Sequence, residues 1–361
     1  MREKTTLASL SPYVPGKPLA EVQQAFDLAK VVKLASNENP FGSSKKVQAA
    51  LKEALGDLEY YPDGGAKALK TKLVEFLGVK ENQLLIGAGL DDVIQIISRS
   101  LLNPGDEIIV ADPTFSQYEL HGVIEGAEVV KVPVDSQGLM DLAGMLAAIT
   151  DQTKIIWLCN PNNPTGTYIP QREIASFIAK VPSDVLVISD EAYQEYVTCE
   201  AESTSLPLLG TYANLLVMRT FSKAYGLAGL RIGYAVIPEQ LGRAFEIVRP
   251  PFNTSSLAQR GAIVALEDQS FIAQTVAVNR LEMAKWETFM AAHGLTYYTS
   301  QANFIFFDTQ KDSHLLAQKL MATGFIVRAG LRPGWLRITV GHEEDNQQLR
   351  QTLAPLLASE Q

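Results

Sequence analysis

The amino-acid sequence predicts an α/β protein whose large domain is built on a mainly parallel sheet flanked by helices. Three observations carry that expectation. Between residues 83 and 234, short β-branched runs alternate with helical patterns, the signature of a parallel sheet covered by helices. Within that span, Ile155-Ile156-Trp157-Leu158, Val185-Leu186-Val187-Ile188 and Leu215-Leu216-Val217-Met218 each run into polar, chemically capable residues. After Pro250-Pro251-Phe252-Asn253 the texture changes to Ala-rich helical stretches followed by short strands, which predicts a smaller α+β domain at the C-terminus. The expected boundaries are an N-terminal arm at 1–35, a large domain at 36–255 and a small domain at 256–361.

Taken in order, the chain starts without a strand–helix rhythm, and Pro12, Pro15 and Pro18 hold it extended. Asn, Pro and Gly in Ser36-Asn37-Glu38-Asn39-Pro40-Phe41-Gly42 mark turns. Ala49, Ala50, Leu51, Ala54 and Leu55 fall at helical spacing. Glu59-Tyr60-Tyr61-Pro62-Asp63-Gly64-Gly65 is a turn, and a helix over 69–77 stops at Gly78. A strand over 83–86 runs into Gly87-Ala88-Gly89-Leu90-Asp91-Asp92, which opens the next helix. Strands follow at 107–110 and 129–134, then a helix over 142–149 and another around 174–179. Beyond the change of texture, helices are expected at 257–266 and 271–293, a strand at 303–307, a helix at 315–321, and strands at 325–328 and 336–340. A last helix spans 347–357, with Pro355 interrupting its end.

Composition narrows the function. The 361 residues are 47% hydrophobic and 20% charged, an ordinary globular balance with ample length for a large core. A net charge of −9 argues against a general nucleic-acid surface, which needs clustered Lys and Arg. Two cysteines are too few for a disulfide framework and form no metal pattern; Cys159 reads as a buried small hydrophobe. A reduced, cytoplasmic setting fits that usage. The N-terminus has no long apolar core, no run approaches the length of a membrane span, and the four histidines are scattered singly, so neither a signal peptide, a membrane segment nor a metal site is expected.

In an open parallel sheet, ligands bind beyond the carboxyl ends of the strands. Asn163, Asp190, Tyr193 and Lys223 are therefore expected to converge on one crevice. Lysine is costly to bury without compensation. A Schiff base with an aldehyde cofactor is one reason to place it there; a surface lysine in a polar turn is the plain alternative. The loop at Gly89, Leu90 and Asp91 offers free amides and a positive helix end to an anion. It is not a dinucleotide fingerprint, because Asp92 stands where the third glycine belongs, and no Walker A lysine follows. Arg337 lies inside the apolar strand Leu336-Arg337-Ile338-Thr339-Val340, where an arginine needs a partner.

The ordered set Asn160-Pro161-Asn162-Asn163-Pro164, Ser189-Asp190-Glu191-Ala192-Tyr193 and Ser222-Lys223, with Arg231 eight residues further on, resembles the fold-type I pyridoxal-phosphate aminotransferases. The resemblance is specifically to the histidinol-phosphate aminotransferase family, and it extends from Ser11-Pro12-Tyr13 to Val340-Gly341. It implies a cofactor, pyridoxal 5'-phosphate, held on Lys223, with Asp190 at the ring nitrogen and Tyr193 and Asn163 at the phenolic oxygen. It implies that Ser222, Arg231 and the amides of Gly89, Leu90 and Asp91 bind the phosphate, although relatives more often carry Ser where Leu90 stands. Phe115 would stack on the ring, and Tyr61 would reach the phosphate of the neighbouring subunit in a homodimer with shared sites. Arg337 would grip a substrate carboxylate, with Arg328, Tyr13 and Asn163 also at the substrate. The implied reaction is transamination of histidinol phosphate with 2-oxoglutarate, run in reverse in histidine biosynthesis. An aromatic amino-acid aminotransferase or a related amino-acid phosphate decarboxylase are the alternatives within the enzyme class. A cofactor-binding regulator is the alternative outside it, disfavoured by the intact Lys223 and Asp190. The loop 329–334 between the two arginines is shorter than in relatives, and Arg332 on it is expected to face solvent.

Overall fold

A computed structural model describes residues 3–11 and 18–358; Tyr13 lies outside the described residues. The segment expected as an arm contains a helix, α1 (Leu19–Phe26), and a two-residue strand, β1 (Val32–Lys33). Only Val22 of α1 is buried, and Leu19 and Phe26 face outward. Leu19, Val22 and Phe26 nevertheless recur at i, i+3 and i+7, a helical spacing. The chain continues through α2 (Lys45–Glu53), α3 (Lys67–Leu77), β2 (Leu84–Gly87), α4 (Leu90–Leu101), β3 (Glu107–Asp112), α5 (Gln117–Glu125), β4 (Glu128–Pro133) and α6 (Leu142–Ala147). Next come β5 (Thr153–Cys159), α7 (Gln171–Ile178), β6 (Leu186–Asp190), β7 (Leu215–Thr220), β8 (Gly233–Val236) and α8 (Gly242–Val248). The C-terminal part holds α9 (Ser256–Glu267), α10 (Gln269–Ala292), β9 (Phe304–Asp308), α11 (Ser313–Ala322), β10 (Phe325–Ile326), β11 (Trp335–Thr339) and α12 (Glu343–Ala358).

The central sheet has seven strands in the order β2-β8-β7-β6-β5-β3-β4. It is parallel from β7 to β4, whereas β8 runs antiparallel to both β2 and β7. Burial on both faces explains the near-continuous apolar strands. Ile108, Trp157, Ile188 and Leu216 pack against α4, α5 and α8, whereas their neighbours Ile109, Ile156, Val187 and Val217 pack against α6 and α7. Each such side chain taken from water contributes about 1.5–3 kcal/mol. Helix α9 packs on α2 and α3 beside the β2–β8 edge.

The smaller core gathers Trp286 and Met290 of α10, Ile305 and Phe307 of β9, Leu336 and Ile338 of β11, and Leu349 and Leu353 of α12. β9 and β11 pair antiparallel, and β1 pairs parallel with β10. Leu34 then stitches the two ladders together: its N–H donates to the Ile326 carbonyl and its carbonyl accepts from Thr339. Residues 32–34 thus belong to the same packing unit as the C-terminal strands. Helix α12 runs through Pro355, contrary to the interruption expected there. It also begins at Glu343, because Glu343, Glu344 and Asp345 complement its N-terminal dipole. Among the described residues, no helix is long and apolar enough to cross a membrane.

Candidate active site

The carboxyl ends of β5, β6 and β7 open onto a cavity of about 590 Å³, closed on other sides by the start of α4, residues 35–38 and β11. Asn163, Asp190, Tyr193 and Lys223 line it, as the strand-end rule predicts, and Ser222, Arg231, Phe115, Arg328 and Arg337 line it too. Among these, Asp190, Tyr193, Asn163, Ser222 and Arg337 are buried.

Lys223 follows β7 on a turn whose sharp return depends on Gly226, where φ is +70° and an added Cβ would lie 1.8 Å from the Gly42 carbonyl oxygen. Its ammonium donates to the Ser36 carbonyl at 3.1 Å and sits 5.7 Å from the centre of the Tyr193 ring. Part of the side chain meets the open cavity, but the protein around it dominates. Burial, and then the Arg337 charge, lower its pKa to about 8. An amine poised there exchanges a proton readily near neutral pH.

Asp190 ends β6. Tyr118 donates to its Oδ2 at 2.6 Å, and the Ala192 N–H donates to Oδ1 at 3.0 Å. Burial raises the carboxyl to about 6, against the opposing pull of these donors. Tyr118 itself is fully buried and stacked on Trp157 at 4.5 Å. It is a site residue that sequence reasoning missed, because a tyrosine on an apolar helix face looks like core. Cys159 is buried as expected, though it also borders the cavity, and burial pushes its thiol up.

Arg337 donates from Nη1 to Asn163 Oδ1 and from Nη2 to the Ala35 carbonyl at 2.8 Å. Its guanidinium lies 5.2 Å over the Phe304 ring. The partner demanded by an arginine in an apolar strand is thus Asn163, and the contact leaves the Asn163 amide nitrogen for other acceptors. Arg328 stands opposite, its backbone paired with that of Arg337. Arg332 is exposed, as expected, and does not line the cavity. It donates to the Tyr298 hydroxyl at 2.7 Å and lies 4.8 Å over the Trp335 ring, which anchors the short loop and sets Leu331 at the cavity wall.

Gly89 caps α4 with φ +81°, and a Cβ there would lie 2.4 Å from Arg231 Nη2. The glycine therefore makes room for the guanidinium above the helix N-terminus. Arg231 holds a left-handed φ of +53°, unusual for a long side chain, and pairs with Asp91 at 3.5 Å. Ser222, this arginine and the unsatisfied first-turn amides of α4 make a cradle for an anion. Phe115 flanks the cavity and meets Tyr118 edge-on at 5.6 Å. The donor set fits pyridoxal phosphate: an amine, a buried carboxylate, two donors for a phenolic oxygen and an anion cradle. Tyr61 is not brought to this cavity within the chain. It is 83% exposed and stacks on Phe252 at 4.8 Å.

Comparison with known proteins agrees with this arrangement. The model of the family described as aminotransferase class I and II matches residues 29–353. A histidinol-phosphate aminotransferase from Geobacillus thermodenitrificans (strain NG80-2) is 49% identical, over 100% of both chains. One from Bacillus subtilis (strain 168) is 48% identical over 99% of this chain and 100% of its own. The crystal structure of histidinol-phosphate aminotransferase from Sinorhizobium meliloti in complex with pyridoxal-5'-phosphate superposes with a TM-score of 0.90 at 28% identity, covering 99% of this chain and 97% of that one. With the family model spanning most of the chain, and relatives near half identity aligned end to end, the chain belongs to the class I and II aminotransferases, and within them to the histidinol-phosphate aminotransferase family.

Proposed function

We propose that this cavity carries pyridoxal-phosphate-dependent transamination between histidinol phosphate and 2-oxoglutarate, the step that in histidine biosynthesis runs toward histidinol phosphate. The observation that carries the proposal is the placement of Lys223 and Asp190 in one cavity with an anion cradle between α4 and Arg231. When bound, pyridoxal phosphate supplies an electron sink for the pair released as the substrate α-proton leaves. Lys223 would hold the cofactor through its amine, and that amine, once freed by substrate, would carry the proton from the substrate α-carbon to the cofactor's C4′. Asp190 holds the proton on the cofactor's ring nitrogen by charge pairing, and Tyr118 fixes the carboxylate that does so. Tyr193 and Asn163 donate to the phenolic oxygen. Ser222, Arg231 and the amides of Gly89, Leu90 and Asp91 hold the phosphate, and Phe115 supports the ring.

Arg337 binds the carboxylate of glutamate, and Arg328 serves the phosphate of histidinol phosphate; fork-like guanidinium donors suit both anions. Tyr13 is assigned to the substrate as well. Leu331 closes the cavity beside these arginines with an apolar surface. Enzymes of this family work on small molecules and are typically dimers. We assign this chain to a homodimer with shared sites, in which Tyr61 serves the phosphate of the neighbouring subunit. The exposed apolar side chains of Leu55, Leu58, Tyr60, Tyr61 and Phe252 support that assignment, since a monomer would leave them in water. The cytoplasm is the setting that fits the two free cysteines.

Borohydride reduction of the cofactor-loaded protein tests the reading. A pyridoxyl label on the peptide containing Lys223 is expected; a label elsewhere, or none, rejects it. Rapid mixing of the loaded protein with histidinol phosphate, glutamate or phenylalanine tests the substrate. Conversion of the cofactor by phenylalanine far faster than by histidinol phosphate would reject the histidine-pathway assignment.

A further inference from the structure

Asn37 lies on the loop after β1 and is 1% exposed. Its φ is +56°, a left-handed conformation that Asn tolerates better than most residues. Three hydrogen bonds hold it to the C-terminal part of the chain. Its N–H donates to Thr339 Oγ1 at 3.0 Å, the Thr339 hydroxyl donates back to its Oδ1 at 3.1 Å, and the Asn303 amide donates to its carbonyl at 3.0 Å. With Oδ1 taken by Thr339, the side-chain nitrogen faces Tyr193 and donates to the phenol oxygen at 2.9 Å. A phenol has one proton to give. Because its oxygen accepts from Asn37, that proton is left for an acceptor in the cavity.

The same loop touches the carboxylate-binding arginine. Two residues before Asn37, the Ala35 carbonyl accepts from Arg337 Nη2, and Arg337 lies two residues before Thr339 on β11. Residues 35–37 therefore contact Arg337, Thr339 and Tyr193 together. The other titratable groups facing Tyr193 are Arg337 from β11, Lys223 after β7, Asp190 at the end of β6, Cys159 at the end of β5 and Tyr196, three residues beyond Tyr193 itself.

We propose that Asn37 is a positioning residue that turns the Tyr193 hydroxyl into the cavity as a donor, and that it ties this orientation through Thr339 to the strand carrying Arg337. The proposal rests on the reading of the cavity as a pyridoxal-phosphate site in which Tyr193 serves the phenolic oxygen. It adds a residue outside that donor set and assigns it the direction of a proton.

The test is a spectrophotometric pH titration of the cofactor-loaded protein, read as the midpoint of the absorption change. Asn37→Gly removes the side chain and keeps a backbone suited to positive φ. Asn37→Asp keeps the shape but presents a carboxylate, which accepts the Tyr193 proton and draws it out of the cavity. A phenolic oxygen that loses a donor is more basic, so the midpoint rises. The rise expected for Asn37→Asp is about one pH unit beyond that of Asn37→Gly. In a Tyr193→Phe background there is no phenol to turn, so more than half of the Asn37→Asp shift should vanish. An equal shift with and without the Tyr193 hydroxyl would mean that the new charge acts directly, and would overturn the proposal. So would midpoints in both single variants that match the unaltered protein. If the unaltered protein holds no reducible pyridoxal phosphate on Lys223, the underlying reading fails and this proposal with it.

Discussion

At Lys223, burial and a neighbouring guanidinium act in the same direction. Both disfavour the ammonium, and together they bring its pKa from 10.5 to about 8. Below pH 8 the cofactor-free protein therefore carries a charge that its surroundings oppose. The unfolded chain keeps its proton up to about pH 10.5, so folded stability climbs as pH rises from 8 toward 10. Replacing the lysine by methionine should flatten that climb. It should also stabilise the cofactor-free protein below pH 8 by on the order of 1–3 kcal/mol, as measured by denaturant unfolding across the pH range. The same replacement should lower transamination by at least about 10²–10⁴-fold, because the proton carrier is gone. Asp190 shows the mirror-image case. Its carboxyl is raised from 3.8 to about 6 by burial, so its contribution to cofactor-free stability falls as pH rises from about 4 to 6. Both groups are held in protonation states that cost folding free energy, as expected where function rather than stability selects the side chain.

At the scale of elements, the N-terminus of α4 and the turn after β7 are the two sides of the proposed anion cradle, and Gly89 lies where the helix cap meets Arg231. A methyl group at position 89 would meet Arg231 at 2.4 Å, and the backbone there holds φ +81°. Gly89→Ala should therefore displace the guanidinium and strain the cap. Loss of one charge-assisted contact weakens pyridoxal-phosphate binding about 10–100-fold, which equilibrium dialysis with the cofactor alone would measure. The guanidinium is the end of a flexible side chain, so Arg231→Ala is the companion variant, and an unchanged affinity there would show that Arg231 does not serve the phosphate. On the opposite wall, the loop between Arg328 and Arg337 is short but not loose. Arg332 is held by Tyr298 and Trp335, and the left-handed Gly330 and Gly334 turn the chain on either side of it.

At the scale of the whole molecule, the proposed shared site is tested through Tyr61. Tyr61 and Phe252 stack on each other at the surface, and Leu55, Leu58 and Tyr60 are exposed as well, apolar area that a neighbour would cover. If each cavity borrows Tyr61 from that neighbour, then mixing inactive Lys223→Ala chains with Tyr61→Ala chains after denaturation and refolding should restore activity. A 1:1 mixture places intact residues in about a quarter of the sites. No recovery, or Tyr61→Ala homodimers as active as the unaltered protein, would remove Tyr61 from the site. Sedimentation of the unaltered protein as a monomer at micromolar concentration would remove the shared site altogether.

The sequence by itself determined the alternation that builds the sheet, because strands buried on both faces must be apolar throughout and turn residues must interrupt them. It also marked residues that meet in the cavity, since Asn163, Asp190, Tyr193 and Lys223 sit where each apolar run meets polar residues, and Arg337 is conspicuous in an apolar strand. Other features depended on residues far apart in the chain. Strand β8 is antiparallel within the parallel sheet, and residues 32–34 join strands three hundred residues away, because backbone pairing leaves no mark on composition. Tyr118 and Asn37 look like a core aromatic and a turn residue, and only the fold sets their polar ends against Asp190 and Tyr193. A side chain's chemistry is written at its own position, but the acceptor it finds is chosen by packing.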